Sequence, residues 1–200
     1  MSTPAEEFYS EERWGNWLDR LRESDLDPEE EDSARLLLNL QDDVAIAIAK
    51  IIRAYEGDIE EEDALMELDD EGAIEELADL RAVVLAEPDI EDEETAILLD
   101  GVQTSLVSAI YAAEQYVAEG VATDASIEEY LRAAADAEAD EEFDRALGLV
   151  AAAGTRVIDG DELDMSVAED LEYGLVIEWI NGLDSLQSAV SDPEVIEEEG

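Results

Sequence analysis

Apolar positions along this chain recur at helical spacing. In PAEEFYSEERWGNWLDRLRES (4–24), Trp14, Trp17, Leu18 and Leu21 fall at i, i+3, i+4 and i+7, on one helical face. Thr3 can cap and Pro4 suits a first turn, so the pattern predicts an N-terminal amphipathic helix over 4–24. A second helix is expected from LDPEEEDSARLLLNLQ onward. There Asp27 can cap, Pro28 can take the first position, and Glu29 to Asp32 place negative charge at the positive end of the dipole. Leu37, Leu38, Gln41, Val44, Ala45, Ile48, Ile51, Ile52 and Tyr55 carry its face on to Gly57, a C-terminal stop. The β-branched residues in this run would also suit a strand. The length of the run and its interleaved alanines favour a buried helix.

Shorter helices are expected over 59–69 and 72–87, the latter ended by Pro88, and a long one over 91–119 before Gly120. Ser126 should cap IEEYLRAAADAEA, and DEEFDRALGLVAAAG should stop at Gly154. TRVIDGDELDM (155–165) reads as the least helical stretch. Ser166 should open a last long helix running to about Val190, before a frayed acidic tail, 191–200. The fold class that follows is all-α. One helical domain over 1–200 is expected, an antiparallel helical bundle built on three long helices (30–56, 91–119 and 166–190) with shorter connecting helices. Residues 36, 37, 40, 41, 44 and 48 match 98, 99, 102, 103, 106 and 110 in type, an internal offset of 62 that hints at a repeated unit. LEYGLVIEWINGLDSLQSAV would be a truncated third copy.

Composition changes the picture of the surface. The chain has 59 Asp and Glu against 10 Lys and Arg, a formal net charge of −49, and one lysine, Lys50. Hydrophobic residues are 46%, ordinary for a folded protein, so the charge does not imply disorder. A fold of 21.9 kDa exposes about 9,000 Å², which puts carboxylates roughly 12 Å apart. The Debye length is about 8 Å at physiological ionic strength and about 3 Å at 1 M, so such neighbours repel in dilute salt and barely do in molar salt. Against a native margin of about 5–15 kcal/mol, that repulsion implies a protein built for molar salt, its surface carrying hydrated cations. Scarce lysine fits, because its apolar stem would favour aggregation there.

The same composition excludes much chemistry. Without His or Cys there is no disulfide, no thiol nucleophile, no Ser-His-Asp system, no ordinary zinc site and no Glu-x-x-His di-iron motif. Phosphate-binding glycine loops are absent too. The N-terminus, MSTPAEEFYSEE, lacks the basic and apolar regions of a signal peptide, and no uninterrupted apolar run nears the length of a membrane span. A soluble cytoplasmic protein is expected, binding neither membranes nor nucleic acid directly.

Carboxylate pairs remain. Helical Mg²⁺-dependent pyrophosphohydrolases use Glu-x-x-Glu and Glu-x-x-Asp, and Glu76/Asp79, Glu91/Glu94, Glu138/Glu141 and Glu141/Asp144 have that spacing. At this acid content chance supplies roughly 17 such pairs, so the motif is unspecific. DGDELDMSVAED (159–170) suggests a calcium loop, but Leu163 and Asp164 stand where an EF-hand needs a ligand and a glycine. No catalytic, cofactor-binding or metal residue is therefore assigned. The distinctive patch is FYSEERWGNWLDRLRE, with three of the ten bases and two of the three tryptophans. Its apolar face can dock on the protein's own bundle while its arginines meet acids. Alternatively Arg13, Trp14, Trp17 and Arg20 bind a partner, since Trp and Arg dominate interface hot spots. Trp179 reads as core, and Gly101, Gly174 and Gly182, inside helical patterns, as points of close helix approach.

At EERWGNWLDRL and SARLLLNLQDDVAIAIAKI the chain resembles an uncharacterised, acidic, helical family of haloarchaeal proteins, classed as a domain of unknown function. The resemblance implies a salt-loving archaeal cytoplasm and adds no mechanism. The reading that results is a non-enzymatic soluble halophilic protein with an interaction or scaffolding role, joined to a protein partner or as a homodimer. A carboxylate–metal nucleotide pyrophosphohydrolase and an acidic nucleic-acid mimic are the alternatives.

Overall fold

The structure is a computed structural model that describes residues 8–57 and 67–191. Among the described residues there are eight helices and no strand: α1 Glu11–Glu23, α2 Glu31–Glu56, α3 Asp70–Val84, α4 Glu93–Glu119, α5 Ile127–Ala139, α6 Phe143–Asp159, α7 Ser166–Glu169 and α8 Leu175–Ser191. The fold is an all-α helical bundle. Its residues divide into two compact units, 1–103 and 104–200.

In the first unit, local chemistry sets the helix ends. α1 starts later than the Thr3–Pro4 signal suggests: the Ser10 side chain accepts from Arg13 N, and Glu11 and Glu12 fill the first turn. Residues 8–10 are not helical, and residues 4–7 lie outside the described residues. α2 also starts later than expected. Asp27 and Pro28 form a turn before the helix: Glu30 N bonds Asp27 O at 3.0 Å and Glu29 N bonds Asp27 Oδ1 at 2.9 Å. Proline after aspartate suits such a turn as well as a cap, and here it makes the turn. Gly57 does end α2, at φ 73°. The helix expected over 59–69 falls mostly outside the described residues, and 67–69 are not helical. Asp69 caps α3 by accepting from Gly72 N, and Asp92 accepts both the amide and the hydroxyl of Thr95 at the start of α4.

The offset of 62 reappears in burial. Leu40, Gln41, Val44 and Ile48 of α2 and Val102, Gln103, Leu106 and Ile110 of α4 are all buried, as are Ser33 and Thr95 at the third positions of the two helices. The buried Gln103 amide donates to the carbonyls of Val84 and Ala86, tying the end of α3 to α4.

In the second unit, Ser126 and Glu129 form a capping box at α5. α5 and α6 make an antiparallel hairpin: Glu141 turns the chain at φ 62°, and at the far end Ala122 N bonds Thr155 Oγ1 of α6 at 3.0 Å. Two expectations fail here. Gly154 does not stop α6, which runs on to Asp159 and ends at Gly160, φ 108°. Gly154 is buried where a Cβ would strike Ala112 and Leu183, so it is a contact glycine inside a helix. The third long helix, expected from Ser166, is instead the single turn α7, a break, and α8. The break has a tertiary cause. Glu138, at the end of α5, accepts from Leu175 N at 2.6 Å and Val176 N at 3.2 Å and so caps α8 from another helix. Its carboxylate occupies the space a side chain on Gly174 would need.

Gly182 shows the close approach expected of it. A Cβ there would overlap the Ser105 carbonyl and the Ser108 hydroxyl. Ser108 Oγ bonds Trp179 O at 2.6 Å, and Trp179 is buried, as core placement requires. Gly101 has no neighbour within 4 Å at its Cβ position, so close packing does not explain it.

α4 amends one expectation. By length and composition it is apolar enough to cross a membrane, and 56% of that apolar window is buried inside the protein, as in a core helix.

Candidate partner-binding site

The site is built on α1. Its i, i+3, i+4, i+7 spacing turns Trp14, Leu18 and Leu21 inward, where all three are buried. Arg13 and Trp17, one turn apart, reach the same buried group. Arg13 Nε donates to Asp43 Oδ2 at 2.8 Å, its Nη2 bonds Asp43 Oδ1, and Trp17 Nε1 donates to Asp43 Oδ2 at 2.9 Å. Asp43 sits mid-way along α2 with only 6% of its side chain exposed, while Arg13 keeps 42%. A buried carboxylate is tolerable only when charged and polar donors surround it, and here three N–H groups do so. Asp43 is thus a polar pin through the α1–α2 interface, a role the periodicity of α2 did not reveal. The one signal was an acid interrupting an apolar run, in a chain where acids interrupt most runs.

Tyr9 completes the cluster. It is 4% exposed, and the Arg13 guanidinium carbon lies 5.7 Å from its ring centroid. Its buried hydroxyl makes no hydrogen bond of good geometry among the described residues, so the nearby Asp43 acts on it through charge. Burial first, and Asp43 second, push the phenol well above its ordinary value, with Arg13 opposing in part.

Of the four candidate residues, Trp14 is buried, Arg13 is part-exposed with its guanidinium engaged by Asp43, and Trp17 is half-buried with its N–H anchored. Arg20 is exposed, its guanidinium 4.9 Å from the Trp17 ring centroid. This Arg20–Trp17 pair is the solvent-facing remainder of the patch. At the end of α1, Arg22 bonds the Asp89 carbonyl at 2.6 and 3.1 Å and Asp19 at 2.8 Å.

Of the carboxylate pairs considered for metal chemistry, one member, Glu138, is engaged elsewhere. Among the described residues no group of three or more His, Cys, Asp or Glu is placed to hold a metal ion. Glu138 is the α8 cap. The segment 159–170 lines a groove of about 430 Å³, where Arg156 pairs with Asp161 at 2.7 Å and Arg132 with Asp170 at 3.1 Å. Asp164 there accepts from Ser166 N, and contacts with Ser166 hold its carboxyl below the usual range.

A family model described as an uncharacterized protein conserved in archaea, DUF2150, matches residues 7–199. The chain belongs to this family. The match spans both units, so the DUF2150 region includes α1 and Asp43 as well as the α5–α8 bundle. It bears out the expected kinship with an archaeal family of unknown function. No curated protein and no solved structure matches the chain.

Proposed function

We propose that this DUF2150 protein is a non-enzymatic interaction or scaffolding protein of a salt-loving archaeal cytoplasm, and that α1 is its partner-binding helix. The observation that carries the reading is the anchoring of Trp17. A tryptophan that is part-exposed, hydrogen-bonded to a buried carboxylate and stacked under an arginine is already ordered. Binding through it costs little side-chain entropy, which is what favours rigid aromatic anchors at interfaces. The acid-rich surface, with one lysine in the chain, supports the molar-salt setting. The partner is a protein or a second copy of the chain. A pyrophosphohydrolase would require acids grouped to share a metal ion; acids do line the groove beside Arg132 and Arg156, but among the described residues no three or more of them are placed to hold one.

The test is co-purification from a haloarchaeal extract in 3 M KCl with wild-type, Arg20→Ala and Trp17→Phe baits. Loss of the same specific protein from both variants, with melting unchanged for Arg20→Ala, supports the reading. Identical co-purifying sets from all three baits would overturn it.

A further inference from the structure

Arg20 stands apart from the other arginines whose contacts are described. Arg13 holds Asp43, Arg22 holds Asp19, Arg132 bonds Glu128 and Asp170, Arg145 bonds Glu142 and Arg156 bonds Asp161. Arg20 makes no ion pair with any described residue, in a chain with 59 acids for 10 bases. It lies over the Trp17 ring instead. A guanidinium held against an aromatic surface still offers N–H donors at its rim, in the fork that matches a carboxylate. The ring beneath it is fixed by the bond from Trp17 Nε1 to Asp43.

We infer that the Arg20–Trp17 pair receives a carboxylate from an acidic, aliphatic peptide segment of the partner: the carboxylate on Arg20, a neighbouring aliphatic side chain on the exposed part of Trp17. This rests on α1 being the partner-binding helix. Charge complementarity selects the occupant. A basic segment would meet the one cation of the pair, and would gain as much from any other part of an acid-covered surface. A nucleic acid carries one charge per ~1.7 Å and would press many phosphates against acids to reach one arginine. An acidic peptide brings a single carboxylate among neutral neighbours.

The salt dependence then differs from that of a simple ion pair. At long range a chain of net charge −49 repels an acidic peptide. Raising salt shortens the Debye length to about 3 Å at 1 M and removes that repulsion. The contact itself, two hydrogen bonds plus apolar packing, survives. Above 1 M affinity should hold as KCl rises, whereas a simple surface ion pair weakens.

A fluorescein-labelled Glu–Leu peptide, a single Glu flanked by Leu in a neutral Ser background, tests this by anisotropy between 1 and 4 M KCl, with circular dichroism confirming the fold at each point. Expected are binding that holds or strengthens over this range and a loss of tenfold or more in Arg20→Ala. A smaller loss is expected in Arg20→Lys, which keeps the charge without the fork. The Trp17 indole ¹⁵N–H resonance, assigned from the Trp17→Phe spectrum, should shift on titration. Equal binding to wild type and Arg20→Ala overturns the inference, and so does affinity that falls as KCl rises. If a neutral Leu–Ser peptide moves the Trp17 resonance and the Glu–Leu peptide does not, the acidic partner is wrong while α1 remains an interface. If no peptide moves it, the inference falls, and the co-purification comparison still judges α1 by itself.

Discussion

The indole N–H of Trp17 donates to the carboxylate of Asp43 at 2.9 Å, on the oxygen that also takes the Nε of Arg13. One buried acid of α2 thereby fixes two side chains of α1, and with them the position of the exposed Arg20. Removing it leaves three N–H donors, on two side chains, without their acceptor. Asp43→Ala should destabilise the protein by about 2–3 kcal/mol, the scale of hydrogen bonds to a charged group, discounted because Arg13 is partly solvated. Trp17→Phe, which loses one bond and keeps most of the ring, should cost about 1 kcal/mol. Arg20→Ala should cost at most about 1 kcal/mol, the value of an exposed cation–π contact. Urea melts in 3 M KCl rank the three. Equal losses would mean that the ion pair is not what seats α1.

Glycine substitutions separate tight packing from mere presence in a helix. At Gly182 an added methyl meets the backbone of Ser105, which cannot swing aside. Gly182→Ala should lower stability by about 3 kcal/mol or more, at the upper end of overpacking. Gly154→Ala meets side chains of Ala112 and Leu183 and should cost about 1–3 kcal/mol. Gly101→Ala meets nothing within 4 Å and should stabilise by about 0.5–1 kcal/mol through helix propensity. Thermal denaturation followed at 222 nm decides among them, and a destabilised Gly101→Ala would contradict the packing seen there.

Salt should decide whether the chain is folded at all. Most of its carboxylates must lie on the surface, and dialysis from 3 M to 0.05 M KCl should abolish the cooperative thermal transition. An unchanged dichroism spectrum and melt across that range would show that the acidic surface has another cause.

Stability should fall at both extremes of pH, for different groups. The folded phenol of Tyr9 titrates above its ordinary value, so its contribution is complete below the unfolded phenol range and is lost as pH rises beyond it. Tyr9→Phe should therefore flatten part of the decline seen above about pH 10. The caps behave oppositely. Asp92, Glu129 and Asp164 are held below the usual carboxylate range by hydrogen bonds from Thr95, Ser126 and Ser166. Their contribution is present above the unfolded carboxylate range and disappears as pH falls through their lowered folded values. Asp92→Asn should blunt the acid limb, measured as melting temperature against pH in 3 M KCl. An acid limb identical in wild type and variant would remove Asp92 from the account.

Much of this protein followed from local patterns of residues. The helical class, the αL stop at Gly57, the Ser126 capping box and the buried faces of α1, α2 and α4 depend on neighbours within a few positions, and short-range sterics and hydrogen bonds act at that range. Asp27–Pro28 shows where that range becomes ambiguous, since the same pair serves a turn or a cap. Other features were settled only when distant segments met. Gly154 looks like a stop until Ala112 and Leu183 press against it, and Ser166 looks like the start of a long helix until Glu138 caps α8 nine residues later. Asp43 is one acid among 59 until Arg13 and Trp17 close over it. Sequence by itself determined which segments are helical and what solvent suits their surface, because backbone propensity and net charge are properties of the chain. Tertiary structure decided which glycine is a contact and which carboxylate is a pin, because steric exclusion and desolvation exist only between groups that folding brings together.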